Sequence, residues 1–444
     1  MQCKALATAY PDDTALPGTA AYAALNTYYV ANTAETPHCI FVPRTTRAVA
    51  DGLVELTRRK AVFAVRSGGH SSNPGFSSTS RGVVINLTKV NAGVRYDATS
   101  GTAVIGPGDR WANVYRALEP HGVTVSGARV APVGVGGYTN GGGLNFELYR
   151  EGFGTDTVVA YEVVLADGRV IMATRHGPHA DLFRALKGSG APFCIVTAFT
   201  FRTISLPDPR GVYGGSLISD AASLGPVLDA VAEFTEPGAG TSDRYAHLIT
   251  SIILYPTNAT AKDTTTTGGV STLVGNDFFY LTPEPTTPAI FRRIEAASRK
   301  GTVLSSTLGA PRSVSNITEE LAVALKSDAT RSLLRPFTVR APTRAVLHEL
   351  QRIWNHEWAP LVGLPADRRI SSLAAALLVI PLGRNVSSPE NVMGMAPGVD
   401  YMLVAQATNW LDTVDDDAVQ HVAHTAHARC LTYLKKVGHY HPWM

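Results

Sequence analysis

Charge is scarce and scattered in this chain. Charged residues make up 17% of it and the formal balance is only +3, against the ~25% charged content usual for globular proteins. No run of five Lys or Arg occurs, so the electrostatic footprint of a nucleic-acid or anionic-lipid binder is missing. The expected partner is a small molecule, with no nucleic acid and no membrane. Long apolar runs are absent too: none approaches the roughly 18–20 residues that cross a bilayer. The opening "MQCKALATAYPDD" has no long apolar core of a secretory signal, so such a signal was removed or never existed. Cysteine is limited to Cys3, Cys39, Cys194 and Cys430, at spacings that fit no zinc pattern. The first two could form one disulfide in an oxidising compartment; four free thiols in a cytosolic protein is the alternative. Four N-x-S/T sequons, at Asn86, Asn258, Asn316 and Asn385, tilt the reading toward secretion, although Asn86 lies in an expected buried strand. His421, His424 and His427 share a helix face, but the H-E-x-x-H arrangement of helical zinc sites is absent, and no metal is expected.

Glycine, by contrast, is abundant and uneven: 24 of 40 fall before residue 205. A length of 444 residues suggests two large domains. In the first half, "RTTRAVADGLVELTRRK" places Val49, Leu53 and Leu56 at helical spacing behind the capping candidates Thr45 and Thr46, and "AVFAV" follows as a short buried strand. "GVVINL" and "GTAVIGPG" read as strands, "RWANVYRALEPHG" as a helix with Trp111, Val114, Tyr115 and Leu118 on one face. "VVAYEVVLADGRVIMAT" reads as a hairpin turning near Asp167 and Gly168. "HADLFRALKG" is a helix stopped by glycine, and "FCIVTAFTFRT" the last strand of this half. From about Leu206 the texture changes to Pro- and Thr-bearing loops between longer elements, including "DTTTTGGVS" as an exposed turn. A final helix is expected from about Asp415 to Val437, its acidic start and Lys435–Lys436 end both suited to the helix dipole.

Two glycine arrays carry the chemistry. "RSGGH" follows a strand, and its glycines can reach positive φ and turn several N–H groups into one concavity suited to phosphate oxygens, with Arg66 adding charge. "PVGVGGYTNGGGL", Pro132 to Leu144, would let a second loop lie flat against a large planar ligand. Neither is a P-loop, and neither has the Rossmann spacing.

"RSGGHS" and "GVGGYTNGGGL", with "GTDTVVAYEVVLADG" and "LKGSGAPFCIVTAFTF" in this order over about 140 residues, resemble the flavin-binding domain of berberine bridge enzyme-like FAD-linked oxidases of the vanillyl-alcohol oxidase superfamily. The texture is similar to that of fungal secreted members. The resemblance implies an α+β fold: a PCMH-type FAD-binding domain over 1–205 and a substrate domain over 206–444 with an antiparallel sheet covered by helices. "ENVMGMAPGVDYMLVAQATNW" is a weaker echo in the second half. It implies FAD as cofactor, attached covalently through His70 to the flavin 8α-methyl. A second, cysteinyl tether is not expected, because Val130 occupies its position. The implied cofactor contacts are Arg66, Ser67, Gly68, Gly69, His70, Ser71, Val133, Gly134, Gly136, Gly137, Tyr138, Gly141, Gly142 and Gly143, then Gly154, Thr155 and Asp156 toward the adenosine, and the backbone at Ile195 and Val196. Val133 matches the position that gates oxygen and favours O2 as acceptor. Tyr138 stands beside the isoalloxazine as a candidate catalytic phenol. Ser72 replaces an active-site tyrosine of plant members, and Cys194 replaces a glycine. Cys3 and Cys39 match a disulfide of fungal relatives, leaving Cys194 and Cys430 as buried thiols.

The implied activity is transfer of hydride from a small organic substrate, a secondary metabolite or alcohol, to FAD, with O2 then reduced to hydrogen peroxide. An oxidative cyclase of secondary metabolism and a non-catalytic FAD-binding protein are the alternatives. The second is motivated by the end, "GHYHPWM", where a family segment returning to the flavin domain is expected to be missing or replaced by Tyr440 and His441. The catalytic base, substrate and oligomeric state carry no legible motif.

Overall fold

Short apolar, β-branched runs form the first sheet of this computed structural model, which describes residues 2–190, 192–208, 211–257, 269–309, 311–325, 331–384 and 386–443. Its strands are β1 (Thr14–Ala15), β2 (Cys39–Phe41), β3 (Phe63–Arg66) and β4 (Val83–Asn86), in the order β1-β2-β4-β3. β4 is parallel to both β2 and β3, and the helix Thr46–Arg58 packs Val49, Leu53 and Leu56 against the core. The Thr45 side chain accepts from the Ala48 N–H and fixes where that helix begins. β3 is half-exposed rather than fully buried, because it is the edge strand: Phe63 and Val65 point outward more than Ala64 and Arg66. The Cys3–Cys39 disulfide ties the N-terminal helix Gln2–Ala9 to β2. Cys430 is a buried thiol and Cys194 a half-buried one.

The second sheet holds β5 (Val94–Asp97), β6 (Thr102–Ile105), β8 (Val158–Val164), β9 (Val170–Thr174) and β10 (Ile195–Arg202) in the order β5-β6-β10-β8-β9. The two-residue β7 (Val123–Thr124) pairs with β11 (Ile204–Ser205). Gly168, at φ +84°, makes the β8–β9 turn where the sequence places it. The helix Trp111–Leu118 buries the face expected of it.

Every strand after residue 212 joins one antiparallel sheet: β12 (Tyr213–Asp220), β13 (Ala246–Pro256), β14 (Val270–Tyr280), β15 (Val303–Ser306), β16 (Arg331–Arg340), β17 (Ala374–Gly383), β18 (Tyr401–Trp410) and β19 (Tyr440–His441). Their order is β15-β12-β14-β13-β17-β18-β16-β19. Alternation along β13 sets its two faces. Leu248, Ile252 and Leu254 pack under the helices Leu224–Phe234 and Arg344–Val362, in one core with Trp354 and Trp358. His247, Ile249, Ser251 and Ile253 point the other way, and the last three keep part of their surface. The final helix runs Asp416–Val437 and stops at Gly438, φ +79°.

Polar pairs bind the two halves. Asn32 exchanges two hydrogen bonds with the Ser332 backbone on β16. Glu119 accepts from the N–H and hydroxyl of Ser315, in the first turn of the helix Val314–Leu325. Phe146 stacks on Phe279 of β14 with ring centres 4.2 Å apart. Near the end of the described residues β19, which holds Tyr440 and His441, pairs with β16, and Trp443 lies edge-on to Phe153 of the first half. Of the sequons, Asn86 is buried and its side chain accepts from the Thr88 N–H, Asn316 is exposed, and Asn258 and Asn385 lie outside the described residues. Most of the "DTTTTGGVS" turn is also outside them. No described helix is long and apolar enough to cross a membrane.

Candidate functional site

The two glycine arrays meet back to back. A Cβ on Gly68 would stand 2.7 Å from Gly134 Cα, and one on Gly134 would stand 2.4 Å from the Gly68 nitrogen. Only hydrogen fits on either side of that crossing. Ser67 locks it: its hydroxyl donates to the Pro107 carbonyl at 2.6 Å and accepts from the Gly136 N–H at 3.1 Å. The second array is not a flat loop throughout. Val135–Asn140 forms one and a half turns of helix, since Gly134 backs onto the first loop while the Val135 side chain drops into the core.

The crossing opens a cavity of about 550 Å³, within the range of small-molecule sites. Among the described residues, the N–H groups of Gly68, Gly69, His70 and Ser71 donate to no protein acceptor. Four consecutive amides without a protein acceptor, on residues that line the cavity, suit the oxygens of an anion. His70 is clamped above it. Its ring stacks on Tyr29 with centres 3.7 Å apart, while the Tyr29 N–H donates to the Gly69 carbonyl. Its Nε2 is buried and has no partner. Burial, then the nearby Arg110 charge, push the imidazole down to about 4, so it is neutral and nucleophilic near pH 7.

Ser67, Gly68, Gly69, His70, Ser71, Val133, Gly134, Gly136, Gly137, Tyr138, Gly141, Ile195 and Val196 all line this cavity. Six expected contacts do not. Arg66 turns away, donating to the Leu25 and Thr27 carbonyls with its guanidinium over the Tyr28 ring. It braces the loop, and the positive charge beside His70 belongs to Arg110. Gly142 approaches Met393, while Gly143 and Gly154 back onto the Tyr138 ring. Asp156 accepts from Asn391 at 3.1 Å and from the Phe153 N–H at 3.0 Å, which makes it a tie to the second half. Thr155 is buried against Tyr161. The Tyr138 ring lines the cavity, but its hydroxyl points to the Ser126 carbonyl at 3.4 Å and burial raises its pKa well above normal. In this structure the ring packs in the cavity wall with its hydroxyl turned toward Ser126. Tyr29, Arg110, Phe76 and Asn140 were not legible as site residues. Tyr29, Arg110 and Phe76 lie outside the glycine motifs and carry no spacing signal of their own, and Asn140 lies inside the second array without a signal to set it apart. Cys194 lines the cavity as a thiol that burial lifts to about 12, which leaves it unreactive.

Between the halves lies a second group of polar side chains. Arg129 Nη1 is 3.1 Å from His247 Nε2 on β13. Asp277 of β14 accepts from the Ser216 hydroxyl at 2.5 Å, and burial lifts its carboxyl to about 6. Glu147, only 3% exposed, is lifted by burial to about 8 and is neutral at pH 7. No group of three His, Cys, Asp or Glu among the described residues is arranged to hold a metal.

The structure is two-lobed, with a glycine-walled cavity in the first half and one large antiparallel sheet in the second. Residues 37–174 match the FAD binding domain family. The FAD-dependent monooxygenase prx3 of Penicillium roqueforti is 38% identical over 252 residues, 56% of this chain and 48% of that protein. The chain thus spans about half the length of this curated relative. An FAD-linked oxidoreductase of Arthroderma benhamiae is 28% identical over 89% of this chain and 74% of its own. The crystal structure of 6-hydroxy-D-nicotine oxidase from Arthrobacter nicotinovorans superposes with TM-score 0.73 at 19% identity, covering 97% of this chain and 86% of that one. A berberine bridge enzyme variant gives 0.73 at 13% identity, covering 99% and 85%. The match to the FAD binding domain family thus covers residues 37–174, and the chain as a whole shares the fold of these solved flavin enzymes, which is berberine bridge enzyme-like.

Proposed function

We propose that the chain is an FAD-dependent oxidase that takes hydride from a small organic substrate held between the lobes. The observation that carries this is His70: a neutral, clamped imidazole whose buried Nε2 has no protein partner, beside four free amides. An orphaned buried nitrogen costs stability unless something meets it, and a covalently attached flavin would. When bound, FAD supplies the hydride acceptor and the electrons that reduce O2 to hydrogen peroxide. The 68–71 amides would hold its pyrophosphate, the Ile195–Val196 segment would flank the ring, and Tyr138 would pack as an apolar wall. Val133, small for its place in the cavity wall, would leave room for O2. The half-exposed row Ile249, Ser251, Ile253, Ala376 and Leu378 offers the substrate a mostly apolar sheet face. Support also comes from relatives named as oxidases or monooxygenases, both O2-using classes. The same reading places the protein in an oxidising, extracellular setting, where the Cys3–Cys39 bridge persists.

Acid precipitation of the purified chain is expected to give a yellow pellet, and a His70→Ala pellet is expected to be colourless while the variant keeps its fold. A colourless wild-type pellet would overturn covalent attachment. Absence of peroxide release across a panel of alcohols, acids and alkaloids by flavin-loaded protein would overturn the oxidase.

A further inference from the structure

Arg129 follows the buried segment Val123–Ala128 and reaches across the lobe boundary to His247. Arginine has no acceptor atom, so in this 3.1 Å contact the guanidinium donates and His247 Nε2 supplies the lone pair. A neutral imidazole then carries its single hydrogen on Nδ1. That nitrogen is buried and has no partner, on a residue only 1% exposed. Burial and the Arg129 charge hold His247 well below its usual basicity, which preserves this tautomer.

The pair therefore presents donors only. Among the described residues no carboxylate lies within ion-pair distance of Arg129: Asp277 is engaged by Ser216, and the Tyr138 and Tyr149 hydroxyls donate to the Ser126 and Pro381 carbonyls. A largely enclosed cation that has no direct ion pair, and that Asp277 attracts only from beyond ion-pair distance, gains from an anion that meets it directly. The setting suits a ligand. Arg129, Ile249 and Asp277 each keep part of their surface, and Arg129 is within electrostatic reach of Tyr138, whose ring lines the cofactor cavity.

We propose that Arg129 and His247 form an oxyanion subsite, and that the substrates of this protein are organic acids whose carboxylate docks there. The proposal rests on reading the space between the lobes as the substrate site. It deepens that reading by naming the group recognised and the two side chains that recognise it. Asp277 shapes the class: it lies beside the subsite, so one carboxylate fits the field and a second would meet repulsion.

The test is calorimetric titration of the full chain with benzoate and with neutral benzamide, with flavin content read separately from visible absorbance. Benzoate is expected to bind at least about tenfold more tightly than benzamide, and Arg129→Met to lose about tenfold or more in benzoate affinity while Arg129→Lys retains part. Equal binding of the two probes, no benzoate binding, or unchanged affinity in Arg129→Met would overturn the subsite. If Arg129→Met fails to fold, the wild-type comparison and Arg129→Lys still decide. Flavin-free protein that binds benzoate through Arg129 would overturn the oxidase and keep the subsite. Flavin-loaded protein indifferent to probe charge would do the reverse.

Discussion

Gly68 and Gly134 face each other where a single methyl has no room, and the atoms in the way are backbone, which cannot swing aside. Gly134→Ala is expected to cost ~1–3 kcal/mol by overpacking, read as a lower urea midpoint together with lost flavin content. Gly137→Ala is the control: nothing lies within 4 Å of its Cβ, so stability should stay near wild type. At His70 the sign follows from its depressed value, about 4 against an ordinary 6.5. Its share of stability is present above the unfolded value and lost as pH falls through the folded one. Covalent flavin yield, measured as acid-precipitable flavin after reconstitution, should be flat from about pH 8 to 5 and fall near 4. Glu147 runs the opposite way. With its carboxyl lifted to about 8, its share of stability is full below the ordinary value near 4.5 and lost as pH rises through about 8. Glu147→Gln should therefore gain about 2 kcal/mol relative to wild type near pH 9, visible as a shallower decline of urea midpoint with pH.

Among the elements, the N-terminal helix is held to β2 by the Cys3–Cys39 bridge, which spans a sequence separation of 36. Its pairing was legible only through the family resemblance, since cysteine spacing alone leaves several options. Cys39→Ser is expected to lose ~2–4 kcal/mol in chemical denaturation, and Cys194→Ser to leave the bridge intact. Amphipathic helices were read well where one face carries a regular apolar row, as in Thr46–Arg58 and Trp111–Leu118. Two elements were misread for local reasons. β3 has a buried-strand composition but sits at a sheet edge, and edge position is a tertiary fact. Val135–Asn140 is glycine-rich, which argues against helix, yet buried Val135 and Thr139 fold the array into one.

At the scale of the whole molecule, Arg129 of the first lobe meets His247 on the outward face of β13 across a sequence separation of 118. The sequence by itself located the two glycine arrays, set His70 directly behind the first of them, and marked the change of texture near Leu206. Each is carried by residues close in the chain or by motifs in a recognisable order, and local order survives in a one-dimensional reading. Only the tertiary structure decided that Arg66 braces a loop while Arg110 supplies the charge, that the Tyr138 hydroxyl turns inward, and that Trp443 returns to Phe153. It alone set Arg129 against His247 with no direct ion pair among the described residues. These outcomes depend on distance and burial between segments far apart in sequence, and no spacing of residue types along the chain encodes them.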